Sequence, residues 1–122
     1  MRRVARISGT ALSILMTLAL LSACTRPTHD SATLQSIQRE SAGLMAAYPR
    51  GVDDLPKNHW PRTIAGLHPA FVIVSSDEVE IVVKPYLDGG YGYLVPRDRQ
   101  RLPEPKGRFS KLGTGIYWYH PY

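Results

Sequence analysis

Phe71-Val72-Ile73-Val74-Ser75-Ser76-Asp77-Glu78-Val79-Glu80-Ile81-Val82-Val83-Lys84 is the stretch on which the fold turns. Four apolar, mostly β-branched residues run into a polar turn at Ser75-Ser76-Asp77. Val79, Ile81 and Val83 then alternate with Glu78, Glu80 and Lys84. A period of two sends successive side chains to opposite faces of a strand. The stretch therefore reads as two strands, the second half-exposed. Phe71, Ile73, Val79, Ile81 and Val83 are the expected core contributions.

Downstream, Asp88-Gly89-Gly90 is a strong turn signal. Tyr91 to Val95 reads as a third strand closed by Pro96, and Gly113-Thr114-Gly115 leads into a last short strand, Ile116 to Tyr119, with Trp118 turned to the core. Upstream, Leu34, Ile37, Leu44 and Met45 share one face of a helix predicted over Ala32 to Tyr48. Asp30 or Ser31 can cap its start and Pro49-Arg50-Gly51 ends it, although Gly43 weakens it. Pro61 can open a short helix through Leu67, with Ile64 and Leu67 facing inward. No internal repeat and no βαβ alternation is present. The expected fold class is α+β, an N-terminal helix packed on a small antiparallel sheet of three to four strands.

The N-terminal segment carries an address. Arg2, Arg3 and Arg6 precede an apolar run from Ala11 to Leu21, broken only by Ser13 and Thr17, and Leu21-Ser22-Ala23-Cys24 closes it. Positive charge, apolar stretch and small residues, in that order, form the secretory pattern. The run is shorter than the roughly 20 residues that span a bilayer. It resembles the lipobox of bacterial lipoproteins, and an ordinary signal peptide with an incidental cysteine is the alternative. The resemblance implies cleavage after residue 23, a diacylglyceryl thioether on Cys24 carrying palmitate-type acyl chains, and a membrane anchor, since two or more chains hold stably. It also implies sorting. Thr25 stands where an Asp commonly retains a lipoprotein in the inner membrane, so the outer membrane, facing the periplasm, is the expected destination in a Gram-negative host.

On this reading residues 1–23 are the signal, 24–31 a tether and 32–122 one small domain. Losing Arg2, Arg3 and Arg6 lowers the net charge from +5 to +2, and an exported chain is not expected to meet nucleic acid. Cys24 is the single cysteine, so lipidation leaves none for an intramolecular disulfide.

Residues with chemistry to offer are few. His29, His59, His68 and His120 show no metal-ligand spacing. Asp53-Asp54 is an adjacent carboxylate pair in a proline-punctuated loop, where solvation or turn capping is expected. No G-x-S-x-G elbow occurs, and Gly89-Gly90-Tyr91-Gly92 lacks the Lys-Ser/Thr of a phosphate loop. No catalytic residue, metal site or cofactor is expected. The candidate binding residues are Tyr91, Tyr93, Tyr117 and Tyr119, as an exposed aromatic face for sugar rings or a protein partner. The alternative for them is cross-strand pairing within the sheet. Arg97, Arg99 and Arg101 lie in a long loop, residues 97–111, that also holds Lys106, Arg108 and Lys111 against Asp98 and Glu104. Such a loop suits anionic lipid or lipopolysaccharide phosphates, or is simply solvated.

Asn58-His59-Trp60-Pro61 and the run Leu112 to Tyr119 resemble stretches of small exported bacterial proteins to which no activity attaches. The expectation is a cell-envelope lipoprotein that acts as a non-catalytic binding or accessory factor. The alternative is an inhibitor or immunity protein that inserts the 97–111 loop into an envelope-directed hydrolase or toxin.

Overall fold

A computed structural model describes residues 26–87 and 89–121. The expected signal and Cys24 lie outside the described residues, as does Asp88 of the expected turn. The chain has the α+β class expected: one long helix, α1 (Ser31–Ala47), one short helix, α2 (Arg62–Gly66), and a single antiparallel sheet. Two details differ. Thirty residues precede α1, so it is not at the chain's N-terminus, and the sheet has five strands rather than three to four. These are β1 (Phe71–Val74), β2 (Glu78–Lys84), β3 (Tyr91–Pro96), β4 (Phe109–Gly113) and β5 (Ile116–Tyr119), in the spatial order β1-β2-β3-β5-β4.

Helix α1 forms because Leu34, Ile37, Ser41, Leu44 and Met45 make one buried stripe. Asp30 starts it, its carboxylate accepting from the Thr33 amide at 3.0 Å. Those two acceptor contacts, the Thr33 hydroxyl first and then the amide, hold the Asp30 carboxyl below the usual aspartate range. Pro27 and Thr28 are half-buried, and the Thr28 amide donates to Tyr93 Oη at 2.9 Å.

The sheet's helix-facing side is set by a row of paired residues, Val72–Ile81–Tyr93–Trp118, running across β1, β2, β3 and β5. All four are buried in the main core. This row corrects the expected register of β1. Directly opposed residues in an antiparallel pair point to the same side, so Val72 and Val74, paired with Ile81 and Val79, face α1. Phe71 is 43 % exposed instead, and Ile73 packs on the other side of the sheet. Val83 is half-buried against the core.

The fifth strand arises inside the segment read as an exposed loop. Phe109, Ser110 and Lys111 pair with Tyr119, Trp118 and Tyr117. As an edge strand β4 is paired on one side only, which tolerates polar Ser110 and Lys111. The opposite edge, β1, is covered by residues 51–55. Val52 and Val74 exchange amide-to-carbonyl bonds of 2.7 and 2.9 Å, and the Leu55 amide donates to Val72 O. Gly51 makes this approach possible: it has φ 79°, and a Cβ there would lie 2.8 Å from Val74 O.

Among the described residues no helix is long and apolar enough to cross a membrane.

Candidate functional site

The four candidate tyrosines do not make an exposed face. Tyr93, Tyr117 and Tyr119 are buried and Tyr91 is half-buried. Tyr93 and Tyr91 lie on the helix side against Trp118, with ring centroids 5.0 and 6.2 Å away. Tyr117 and Tyr119 lie on the back of the sheet in a second cluster with Val82 and Leu94. The fifth strand closes this cluster, because Phe109 packs on Tyr119 at 6.3 Å. Cross-strand aromatic pairing is thus the arrangement adopted.

The three candidate arginines are exposed but do not act together. Arg97 and Arg99 turn toward α1, whereas Arg101 turns toward the back of the sheet. Arg97 and Arg99 line a groove of about 600 Å³ between α1 and the end of β3, joined there by Arg39, Gln35 and Gln38 of the helix. Spacing of three and four residues places Gln35, Gln38 and Arg39 on one helix face.

Local structure holds the groove in shape. The Arg97 amide donates to Asp77 O at 2.6 Å, which fixes where the chain leaves β3. The Arg99 stem lies against Gly115, where a Cβ would come 3.1 Å from Arg99 Cβ and Cγ. Gln38 Nε2 donates to Thr114 O at 2.8 Å, and Arg99 Nη2 approaches the same carbonyl at 3.5 Å. Three guanidiniums and two side-chain amides therefore line one concavity with no carboxylate among them. Guanidinium forks match phosphate and carboxylate oxygens geometrically. The helix contribution had a visible signal in the sequence, a polar face at Gln35, Gln38 and Arg39, but nothing local tied it to residues 97–99.

A second concavity of about 570 Å³ lies on the back of the sheet. Glu78, Glu80 and Tyr119 line its floor, and residues 101–104 with Arg108 form its wall. The expected loop thus folds back along the sheet, with the Tyr117 hydroxyl near Arg101 O at 3.5 Å, rather than standing away from it. Burial pushes the Glu78 carboxyl up, against the opposing pull of Arg101 and with a smaller push from Glu80 and Asp77. Burial, with Glu80 alongside, also pushes the Tyr119 phenol up.

Elsewhere Asp53 and Asp54 are exposed, and His59 Nδ1 pairs with Tyr48 Oη at 2.8 Å. No group of three or more His, Cys, Asp or Glu side chains that would hold a metal occurs among the described residues. No family model matches the chain, and no curated protein or solved structure matches it.

Proposed function

We propose that this chain is a small cell-envelope lipoprotein, anchored through Cys24, that binds anionic groups without catalysing a reaction. Arg39, Arg97 and Arg99 lining one groove with no carboxylate is the observation that carries the binding part of this reading. The anchor rests on the lipobox resemblance of Leu21-Ser22-Ala23-Cys24. In a Gram-negative host the place of action is the periplasmic side of the outer membrane. There the groove would meet lipid head groups or lipopolysaccharide phosphates, and an envelope protein or glycan bearing the same charge would serve equally. Sequence-independent attraction of this kind is screened by salt.

The test uses the full chain extracted from membranes in detergent. Dihexanoyl phosphatidylglycerol should bind more tightly than dihexanoyl phosphatidylcholine, and the difference should shrink as salt rises. The triple variant Arg39→Gln/Arg97→Gln/Arg99→Gln should lose the preference while melting like the wild type, because exposed charges contribute little to folding. Equal binding of both lipids by the wild type would end the groove reading. Mass spectrometry of the same sample reads Cys24, and an unmodified thiol there would end the anchor reading.

A further inference from the structure

We infer, on the reading that Cys24 carries the anchor, that the tip of the β2–β3 hairpin is a membrane contact that seats the domain on the bilayer holding that anchor. Leu87 stands fully in solvent at the tip, and Tyr86 beside it is 52 % exposed. The tip has a defined shape. The Gly89 amide donates to Tyr86 O at 3.1 Å, and Gly89 and Gly90 both take positive φ, 104° and 76°. Folding thus leaves a large apolar side chain at an apex where no described residue covers it. Phe71, 43 % exposed, stands at the same end of the sheet, opposite Val82 near the end of β2.

Two observations choose an anionic bilayer as the occupant. The first is where the chain enters the domain. Tyr86 meets Tyr91 edge-on with centroids 5.9 Å apart, Tyr91 meets Trp118, and Trp118 meets Tyr93, whose Oη accepts from the Thr28 amide. This run of rings links the tip to the point where the chain comes in from the anchor. Cys24 is four residues before Thr28, and four extended residues span at most about 14 Å. A lipid on Cys24 therefore keeps a bilayer within reach of the tip.

The second is charge. Lys84 holds its ammonium over the Tyr86 ring, 5.4 Å from the centroid, and the Arg108 guanidinium lies against Gly89. One acidic residue, Asp88, stands in the turn with them. An apolar apex, a tyrosine and flanking cations suit the membrane interface, where the ring sits at head-group level and long cationic side chains reach the phosphates. With the tip on the bilayer, the arginine groove lies at the other end of β3 and opens away from it. That orientation selects, among the anionic groups proposed for the groove, those of a protein or glycan over a head group of the same bilayer.

The test uses the lipidated full chain, reconstituted into vesicles of phosphatidylethanolamine and phosphatidylglycerol and recovered by flotation. Cys24 is the single cysteine and the lipid occupies its sulfur, so Leu87→Cys supplies one reactive thiol at an exposed position. An NBD fluorophore there should emit to the blue of the same dye at Ser76→Cys, in the exposed β1–β2 turn at the other end of the sheet. Nitroxide-labelled phospholipid should quench the dye at 87 and leave the dye at 76 bright. Adding Tyr86→Asp should return the dye at 87 toward water, which separates docking by the protein from insertion by the dye. A chain that floats with the dye at 87 in water, with both dyes equally quenched, or with quenching unmoved by Tyr86→Asp overturns this inference and leaves the anchor standing. A chain that does not float overturns both.

Discussion

Gly92 and Tyr119 oppose each other across β3 and β5, and a Cβ on residue 92 would lie 2.5 Å from Tyr119 Oη and 2.7 Å from its Cζ. The tyrosine ring occupies the space a side chain would take. Ile81 O crowds the same point from β2. Glycine at 92 is therefore required by close packing rather than by backbone conformation. Gly92→Ala should cost about 2 kcal/mol, in the range of core overpacking. A denaturant melt of the variant that overlays the wild type would show that Tyr119 can move aside freely.

Ser41 sits in the buried stripe of α1, 0 % exposed, with no hydrogen-bond partner for its Oγ among the described residues. Ser41→Ala removes a hydroxyl that gains nothing from burial and introduces a better helix former. The variant should gain about 1 kcal/mol, seen as a rise in melting temperature on the order of 4 °C for a domain of this size. A fall in melting temperature would mean that the hydroxyl is satisfied in solution.

Neighbouring residues of β1 should respond oppositely to the same change. Val72 is buried against Ile81, whereas Phe71 is 43 % exposed. Val72→Asp should abolish cooperative unfolding, because an unpaired buried charge costs several kcal/mol. Phe71→Asp should lower the melting temperature only slightly. Circular dichroism melts of the two variants decide the register, and the reverse order of damage would refute it.

Asp30 gives α1 a pH-dependent start. Its folded pKa lies below the ordinary aspartate value of 3.8 because the Thr33 hydroxyl and amide bond the ionised form. The stabilisation is therefore present above that value and is lost as the pH falls through the lower, folded pKa. Asp30→Ala should melt below the wild type at pH 7, and the gap should close in strong acid. Asp30→Asn, which keeps an acceptor, should fall between the two and show little change with pH. A gap between wild type and Asp30→Ala that persists unchanged at pH 2 would exclude the carboxylate as its source.

The sequence by itself determined the elements whose stabilising contacts repeat along the chain. The stripe at Leu34, Ile37, Leu44 and Met45 marks α1, and Val79, Ile81 and Val83 mark β2. In each, burial of one side imposes a period that neighbouring residues display. Only the tertiary structure decided which side of β1 and β5 faces the helix. Phe71-Val72-Ile73-Val74 and Ile116-Tyr117-Trp118-Tyr119 are apolar on both sides, so their period carries no direction, and pairing with Ile81 and Tyr93 sets it. The back of the sheet is buried because the Phe109 side chain of β4 and residues 101–108 pack on it, so tyrosines 117 and 119 became core rather than surface. β4 itself was hidden because an edge strand paired on one side needs no alternation. Distant partnerships left no local trace either. Glu40 of α1 accepts from the Thr63 and Ile64 amides at 2.9 and 3.0 Å, capping α2 from another helix. Arg39 meets Arg97 and Arg99 only after the sheet has packed on α1. Such contacts depend on the path of the whole chain, and no window of neighbouring residues contains it.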